Sequence, residues 1–493
     1  MSLCFTLYSR LIRVDASLGR VLCWPPHEIY DRTDNALKID RRINPRLLQP
    51  AVGQFLDLAG GKITRLADQW DPGRGTPVFT VGGRYSTRGW TEWTQGFQYG
   101  CAILQFDMTG DERFLEIGRA MTIERMAPHV SHVGVHDHGF NNLSTYGNLR
   151  RLMTERRIPF DPAELDFYEL ALKVSGAVQA ARWSTTADGG GYIYSFNGPQ
   201  SLFSDTMRSL RSLVVAHQLG HALMAENDCA VNLQQRAVEH AMTTLQYNVY
   251  YGAGRDAFDV PGRVAHESIF NVADGNYRCP STQQGYSPFS TWTRGLAWIL
   301  CGCAEQLEYL ARTKTKEWSA SLSKARVVAA LKKAAVAVAE FHIRNSFADG
   351  IPFWDTGAPG VAQFGDIRLL PSDPHNDIES LDSSAAAICA QGYLRLGNYL
   401  MSRGDHQNGT RYRSAAWTIA QALFSEPYLS TDPRHQGLLL HSIYHNPNGW
   451  DHIPRGRKIA CGESSMWGDY HAMELALMTN REAENEPYPR FFS

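Results

Sequence analysis

The apolar residues of this chain recur with the period of an α-helix and not with the alternation of a strand. Between residues 324 and 343 they form one stripe, which comprises Val327, Leu331, Ala334, Val338 and Phe341. Residues 161–182 predict a second helix, in which Asp161 precedes Pro162 as an N-cap precedes a first-turn proline. Its predicted apolar face comprises Phe167, Leu170, Val174, Ala177, Val178 and Ala181. Both patterns are typical of helices that pack one face on a core.

Further stretches with this period are distributed along the whole chain. Together the predicted helices are 98–108, 111–128, 162–183, 205–227, 229–251, 290–312, 321–345, 379–403, 409–425 and 463–479. Strand signals are few and short, and strands and helices do not alternate. Many helices joined by segments rich in Gly, Pro, Asp and Ser predict an all-α fold of packed helical pairs.

The composition is that of a globular enzyme with a large core. The chain has 493 residues, of which 43% are hydrophobic and 20% charged. A prior of about 150 residues per domain suggests about three domains, but a closed ring of helices enlarges its core around the ring and needs no such division. The net charge is −2 and no basic run stands out, which argues against a nucleic-acid partner. No apolar run reaches the ~20 residues that cross a bilayer, so we expect no membrane partner.

The N-terminus and the cysteines bear on the location of the protein. The start is briefly apolar, but Arg10 and Arg13 interrupt it, and it lacks the basic region and cleavage site of a signal peptide. The nine cysteines are scattered, and Cys301 and Cys303 lie inside a helical stretch. A zinc knuckle or a disulfide framework is therefore not expected, and reduced thiols in the cytoplasm fit best. The sequence leaves the oligomeric state open.

Four segments carry more polar and aromatic residues than a core requires. They are residues 93–100, residues 136–140, residues 204–208, and the run from His266 through Gln284 and Arg294 to Trp298. Aromatic side chains at junctions between helices and loops are suited to stack on sugar rings, although tryptophan is also commonly a core residue. These segments are the candidates for a functional cleft.

Two aspartates in these segments, Asp137 and Asp205, look like carboxylates at or near a helix start. Asp205 has a structural alternative, because an aspartate before a helix is an ordinary N-cap. Asp137 lies between two histidines, which a cap does not need, and paired carboxylates are suited to acid–base chemistry. His132, His136 and His138 beside Asp137 leave a divalent metal site as a further alternative. The chain has no HExxH motif, and we expect neither a metal nor another cofactor.

Taken together, the segments resemble glycoside hydrolase family 88, the unsaturated glucuronyl hydrolases, whose relatives in family 105 act on unsaturated galacturonyl residues. Residues 93–100 match the family's W-T-x-G-F-x-x-G run, residues 136–140 match H-D-x-G-F, and residues 284–298 match Q-G-Y…S-T-W-x-R-G-x-A-W. Near the C-terminus, residues 382–385 match D-S-S-A and residues 467–470 match W-G-D-Y. The five motifs occur in the family's order.

The resemblance implies a fold and a set of roles. The fold is an all-α six-hairpin α/α toroid with the cleft at one end. Asp205 would be the general acid/base and Asp137 the second carboxylate. The implied sugar subsite comprises Trp93, His136, His266, Gln284, Arg294 and Trp298. Because a guanidinium can bind a carboxylate as a bidentate fork, Arg294 is the expected partner of the substrate's carboxylate.

The chain also departs from the family. The first 80 or so residues match nothing in it, and we predict residues 1–80 to be a segment packed on a toroid that residues 81–493 form. His138 stands where the family often has a small or aliphatic residue, and Ser209 where it usually has an asparagine. The 253–282 loop is longer than usual. These differences concern the exact substrate more than the reaction.

The reaction that the resemblance implies is a hydration. The substrate is an unsaturated oligosaccharide with a C4=C5 double bond left by a polysaccharide lyase. The acid protonates C4, water adds at C5, and the resulting hemiketal opens and releases the aglycone. Three alternatives stay open: an ordinary inverting glycosidase, a polysaccharide lyase or epimerase on the same kind of toroid, and a non-catalytic sugar-binding protein.

Overall fold

The structure, a computed structural model, describes residues 11–15, 20–24, 37–89, 93–315, 317–319 and 322–492. The α-helices of this part are α1 (Pro45–Gln69), α2 (Gln95–Thr109), α3 (Glu112–Arg125), α4 (Ala127–Val130), α5 (His138–Asn142), α6 (Asn148–Thr154), α7 (Pro162–Ala181), α8 (Thr206–Ser209), α9 (Arg211–Gln218), α10 (Leu233–Tyr247), α11 (Thr293–Arg312), α12 (Lys324–Asn345), α13 (Ser383–Ser402), α14 (His406–Leu423) and α15 (Met466–Ala483). A π-helical turn, Leu143–Gly147, joins α5 to α6.

Six inner helical segments form a closed ring in the described part of the chain. In ring order they are α2, α5–α6, α8–α9, α11, α13 and α15, and α15 packs back on α2. An outer helix packs on each: α3 on α2, α7 on α5–α6, α10 on α9, α12 on α11, α14 on α13, and α1 on α15. The inner helices α11 and α13 are buried over almost their whole length. The predicted all-α fold and six-hairpin α/α toroid are confirmed.

The strands are short and form hairpins and one small sheet at the helix ends. They are β1 (Leu11–Asp15), β2 (Arg20–Trp24), β3 (Phe79–Val81), β4 (Arg84–Ser86), β5 (Trp183–Thr185), β6 (Gly191–Ile193), β7 (Ser201–Phe203), β8 (Leu223–Met224), β9 (Ala230–Val231), β10 (Glu267–Phe270), β11 (Tyr277–Ser281), β12 (Glu317–Ser319) and β13 (Leu322–Ser323). The sheet has the antiparallel order β11–β10–β7. β7 ends two residues before Asp205 and β10 begins directly after His266, and the Ser204 N–H donates to the His266 carbonyl at 2.8 Å. The sheet therefore brings Asp205 and His266 together.

Two parts of the ring are not among the predicted helices. α1 contains Pro50, Gly60 and Gly61, residues that disfavour a helix interior, although Asn44 caps its start by accepting from two backbone N–H groups. The α5–α6 segment is rich in Asn, Gly and Ser and is broken by the π-helical turn. α1 lies within the predicted N-terminal segment, yet it is itself an outer helix of the ring, packed on α15. The boundary at residue 80 stays a prediction, and most of residues 1–36 lie outside the described residues.

The apolar stripes predicted for α12 and α7 have different outcomes. In α12 the predicted stripe is the buried face. In α7 the prediction was wrong, because Phe167 and Leu170 are 42% and 59% exposed. The buried face of α7 comprises Tyr168, Ala171, Leu172, Ser175, Gly176, Gln179 and Ala180. It includes two polar side chains, so a search for apolar periodicity alone selects the neighbouring stripe. No helix of the described residues has both the length and the apolar character needed to span a membrane.

Candidate active site

The starts of several inner helices meet at one end of the ring and form a pocket. Trp93 lies two residues before α2, Asp137 directly before α5, and Asp205 directly before α8. The pocket, whose space of about 530 Å³ includes the part open to solvent, is lined by Trp93, His136, Asp137, Phe140, Phe196, Asp205, Gln283, Gln284, Trp292, Arg294, Trp298, Tyr444, His445 and Trp450. Seven of the eight predicted site residues are in this lining, and the eighth, His266, lies behind Trp292, at 4.7 Å between ring centroids.

The two carboxylates lie on either side of one imidazole. The Nε2 atom of His136 is 3.5 Å from Oδ1 of Asp137 and 3.4 Å from Oδ1 of Asp205. The side chain of His136 is 1% exposed, and those of Asp137 and Asp205 are 8% and 10% exposed. The three ionisable groups therefore share a nearly dry site, where their charges act strongly on one another.

The protonation of these groups follows from burial and from this geometry. Burial raises the pKa of Asp137, and the charge of Asp205 raises it further against the opposing effect of His136. Burial also acts to raise the pKa of Asp205, but the hydrogen bond and charge of His136 outweigh it, and the pKa of Asp205 is lowered. Burial would lower the pKa of His136, yet the two aspartates raise it. The environments thus separate the two carboxyls, which is the usual condition for distinct acid and base roles.

The cap alternative for Asp205 does not hold. Asp205 occupies the N-cap position of α8, but its side chain makes no capping hydrogen bond, and Asp137 before α5 makes none either. By contrast, Asp161 at the start of α7 accepts from the N–H groups of Ala163 at 2.8 Å and Glu164 at 3.2 Å. The carboxylates of Asp137 and Asp205 are therefore available to the pocket.

The metal alternative is not supported by the geometry. His138 has both ring nitrogens engaged, with Nδ1 3.0 Å from the Ser175 hydroxyl and Nε2 2.9 Å from the His132 carbonyl. Among the described residues, no group of three or more His, Cys, Asp or Glu side chains is placed to hold a metal ion. His138 instead fixes the loop that precedes α5.

His266 is held as a neutral ring with a defined tautomer. Its Nδ1 accepts from the backbone N–H groups of Gln283 at 3.0 Å and Gln284 at 3.3 Å, so the proton of the neutral ring is on Nε2. The ring packs between Phe203 and Trp292, at centroid distances of 4.4 and 4.7 Å. Burial lowers its pKa to about 4. His266 therefore presents a hydrogen-bond donor on the side of the ring that faces away from this loop.

Arg294 does not present the free fork that the sequence predicted. One terminal nitrogen donates to Asp382 Oδ2 at 3.1 Å and to the carbonyl of Ile443. The other donates to Gln284 Oε1 at 3.0 Å and to the Tyr444 carbonyl at 2.8 Å. The four terminal N–H groups are thus engaged by the protein, and Arg294 orients the Gln284 amide so that its N–H₂ group is left for a ligand. The bidentate role of Arg294 is corrected on this ground.

Aromatic rings form one wall of the pocket. Trp93 is half-buried and stacks on Trp467 at 5.0 Å and 26°. Trp298 is 1% exposed and lies beneath, with its ring 4.8 Å from that of Phe140. Of these two rings, Trp93 is therefore the one exposed enough to meet a sugar, while Trp298 supports the floor.

A further part of the pocket lining comes from a loop that the sequence did not single out. It carries Tyr444, His445 and Trp450, which all line the pocket. Asp451 shapes this loop by accepting from the backbone N–H groups of Tyr444 and His445, and Arg294 binds it from the other side. Phe196, from the loop between β6 and β7, was missed as well. Both segments match no motif, and their aromatic content was the only sequence signal.

The departure at Ser209 has a structural role. Its hydroxyl donates to the His136 carbonyl at 2.8 Å and accepts from the Gly139 N–H at 2.8 Å. Gly139 approaches so closely that an added Cβ would lie 2.3 Å from the Ser209 carbonyl oxygen. A small hydroxyl residue at 209 therefore ties the start of α5 to α8 and fixes the distance between the two aspartates.

Comparison with known proteins finds relatives over most of the chain, although no family model matches it. It is 24% identical over 448 residues to an unsaturated glucuronyl hydrolase of Bacillus sp. (strain GL1), covering 90% of this chain and 99% of that protein. It is 23% identical over 441 residues to an unsaturated chondroitin disaccharide hydrolase of Streptococcus pyogenes serotype M1, covering 87% and 92%. The crystal structure of unsaturated glucuronyl hydrolase from Bacillus sp. GL1 has a TM-score of 0.63 at 22% identity, covering 88% of this chain and 97% of that one. The two structures share a fold.

Proposed function

We infer that this chain, which belongs to the unsaturated glucuronyl hydrolase family, is a glycosidase that removes a 4,5-unsaturated uronic acid from the non-reducing end of lyase-generated oligosaccharides. The observation that carries the proposal is the buried pair Asp137 and Asp205 with His136 between them, at the floor of a pocket with an aromatic wall. Such a site can hold one proton in reserve beside a planar ligand, which acid-catalysed hydration of a double bond requires.

In the proposed reaction Asp205 delivers a proton to C4 of the sugar. Water then adds at C5, and Asp205 takes a proton back from that water, so the carboxyl is restored at the end of the cycle. The product of hydration is a hemiketal at C5. It opens to a ketone, and the C1 hemiacetal that this exposes releases the aglycone without further help from the protein.

The substrate itself supplies the condition for protonating Asp205. In the free protein the pKa of Asp205 is lowered by His136. A bound uronate brings another negative charge and displaces water, and both effects raise the pKa of a neighbouring carboxyl. We propose that substrate binding causes Asp205 to take up a proton. The protonation state of the neighbouring Asp137 then sets how readily Asp205 gives that proton to the substrate. The pair then titrates as one unit.

Recognition of the sugar falls to neutral donors and a ring face. The Gln284 amide, oriented by Arg294, is the donor for the uronate oxygens, and His266 supports it by accepting from the backbone N–H groups of Gln283 and Gln284. The positive ends of the inner helices favour an anion at this end of the toroid. Trp93 provides the stacking surface. This assignment replaces the direct Arg294–carboxylate contact.

We also propose a sugar preference, a location and a partner. A glucuronyl preference over the galacturonyl substrates of family 105 follows from the relatives' names alone. A cytoplasmic location is supported by the seven cysteines whose side chains the structure describes, which are free thiols. The proposed partner is the oligosaccharide substrate, and the oligomeric state stays open.

The experiment that tests the function is incubation with a panel of lyase-generated disaccharides while the ultraviolet absorbance of the enol acid is followed. Loss of absorbance with equimolar release of aglycone is the expected result. Release of aglycone with the absorbance preserved would assign an ordinary glycosidase, and growth of absorbance on intact polysaccharide would assign a lyase. Binding without turnover, unaffected by Asp205→Asn, would assign a sugar-binding protein.

A further inference from the structure

The buried face of α7 carries a polar stripe directed at the loop that bears His136 and Asp137. Ser175, Gln179 and Arg182 follow at intervals of four and three residues, so they share one face of the helix and its end. Their exposed fractions are 0%, 0% and 7%. Buried polar groups destabilise a fold unless they are hydrogen-bonded, so the partners of this stripe indicate what it holds in place.

The partners are the backbone of the loop 132–138 and its immediate contacts. One terminal nitrogen of Arg182 donates to the Val133 carbonyl. The amide of Gln179 donates to the His136 carbonyl at 2.8 Å. The Ser175 hydroxyl lies 3.0 Å from Nδ1 of His138, which in turn binds the same loop. Three side chains of one outer helix thus fix the loop immediately before the carboxyl pair.

Arg182 also binds the loop that carries Phe196. Its other terminal nitrogen donates to the Ser195 carbonyl at 2.7 Å and its Nε to the Tyr194 carbonyl at 3.1 Å. The next residue, Phe196, lines the pocket, and its ring centroid is 5.7 Å from that of His136. One guanidinium therefore joins the loop of Asp137 to the loop of Phe196.

The positive charge of Arg182 also acts on Asp137 and His136. All the acceptors named above are neutral carbonyl oxygens, so these contacts do not cancel the positive charge. It lowers the pKa of Asp137 and also that of His136. Other charged and titratable groups that interact with this pair are Asp205, His132, His240, His266 and Tyr444.

We propose that Arg182 is a positioning residue of the reaction, whose guanidinium holds the loops of Asp137 and Phe196 together and places a fixed positive charge behind the carboxyl pair. It contacts backbone and not substrate, so it acts through Asp137 and His136. The kinetic part of this inference rests on the proposed function. The structural part does not.

The test compares Arg182→Lys and Arg182→Gln with a matched control, Arg263→Gln. Arg263 is also buried and also binds a backbone carbonyl, that of Phe289 at 2.9 Å. Its other terminal nitrogen binds the carboxylate of Asp256 at 2.6 Å, and neither contact is on the loop of Asp137 or that of Phe196. Both Arg182 variants should lose about 10²-fold in kcat, because small displacements of a catalytic group cost about that much, with a smaller change in KM. Arg182→Gln should move the alkaline limb of the pH–rate profile upward, because removing the cation raises the pKa of Asp137 and His136. Arg182→Lys keeps the charge and should leave that limb in place.

A readout without turnover separates the two proposals. Hydrogen–deuterium exchange of the peptide 131–138 should accelerate in both Arg182 variants and stay unchanged in Arg263→Gln. If the wild type turns over none of the unsaturated disaccharides, the proposed function fails. The exchange result still tests whether Arg182 holds the loops of Asp137 and Phe196 together. Wild-type kcat, pH limb and exchange rate in a folded Arg182→Gln would overturn the inference. Should that variant fail to fold, wild-type kcat and exchange in Arg182→Lys would overturn it equally.

Discussion

Replacing Asp205 distinguishes a catalytic carboxylate from a helix cap, because the two roles predict opposite effects. Asp205 makes no capping hydrogen bond, so Asp205→Ala removes no contact that holds the start of α8. Asp161 accepts two backbone N–H groups at the start of α7, and Asp161→Ala is therefore the matched control. The pair of variants places the same chemical change at two helix starts.

The magnitudes are well separated. Loss of a true aspartate cap costs about 0.5–2 kcal/mol of folding free energy, and Asp161→Ala should lose stability in that range with kcat unchanged. Loss of an acid–base carboxyl costs about 10²–10⁴-fold in rate, which corresponds to about 3–5 kcal/mol of barrier. Asp205→Ala and Asp205→Asn should show this loss in kcat. The ionised Asp205 also interacts favourably with His136, which lowers the pKa of Asp205, so any stability that these variants lose should disappear in acid, where the wild-type carboxyl is protonated.

The assays are urea unfolding followed by circular dichroism and the rate of absorbance loss with an unsaturated disaccharide. Binding of the disaccharide to Asp205→Asn should remain within a few-fold of the wild-type KM, since the amide keeps the size of the carboxyl. An Asp205→Ala variant that turns over within a few-fold of wild type would refute the reasoning.

Three further predictions concern the rest of the site. The rate should rise above about pH 4, because His266, whose pKa burial lowers to about 4, loses its proton there. The rate should fall at alkaline pH, because Asp137, whose pKa burial raises, then loses its proton. A pH–rate profile that is flat into strongly basic solution would contradict a carboxyl acid. Arg294→Lys should raise KM more than it lowers kcat in steady-state kinetics, because lysine keeps the charge but cannot bind the four acceptors that orient Gln284; an unchanged KM would show that Gln284 is oriented without it. Trp93→Ala, made in the Asp205→Asn background, should weaken disaccharide binding up to about tenfold by calorimetry, and equal affinity would remove Trp93 from the sugar subsite.

The sequence predicts the toroid and most of the pocket because both depend on local signals. The spacing of apolar residues predicts helices, as the buried stripe of α12 illustrates. Most candidate site residues stand at or near the starts of inner helices, where polar and aromatic residues interrupt that spacing, whereas His266 and Gln284 stand beside the short strands. A closed ring brings those starts to one end, so motifs far apart in the chain meet in one pocket.

The failures also have a physical cause. The inner face of α7 is partly polar because Ser175 and Gln179 support the loop of Asp137, so the apolar pattern selected the wrong stripe. Sequence alone could not reveal that Arg294 is surrounded by protein acceptors, since the carbonyls of Ile443 and Tyr444 come from a loop about 150 residues away. Such contacts are set by tertiary packing and leave no periodic signal.

The most direct test of the hydration mechanism is to run the reaction in deuterium oxide and examine the released sugar by mass spectrometry and NMR. The proton of Asp205 exchanges with solvent before each turnover, so delivery to carbon should leave one deuterium at C4 of a sugar that has lost its double bond. Protonation of the leaving oxygen would give a label that washes out and a sugar that keeps the double bond. One carbon-bound deuterium at C4 is the result that the account predicts, and its absence from a product formed at full rate would contradict it.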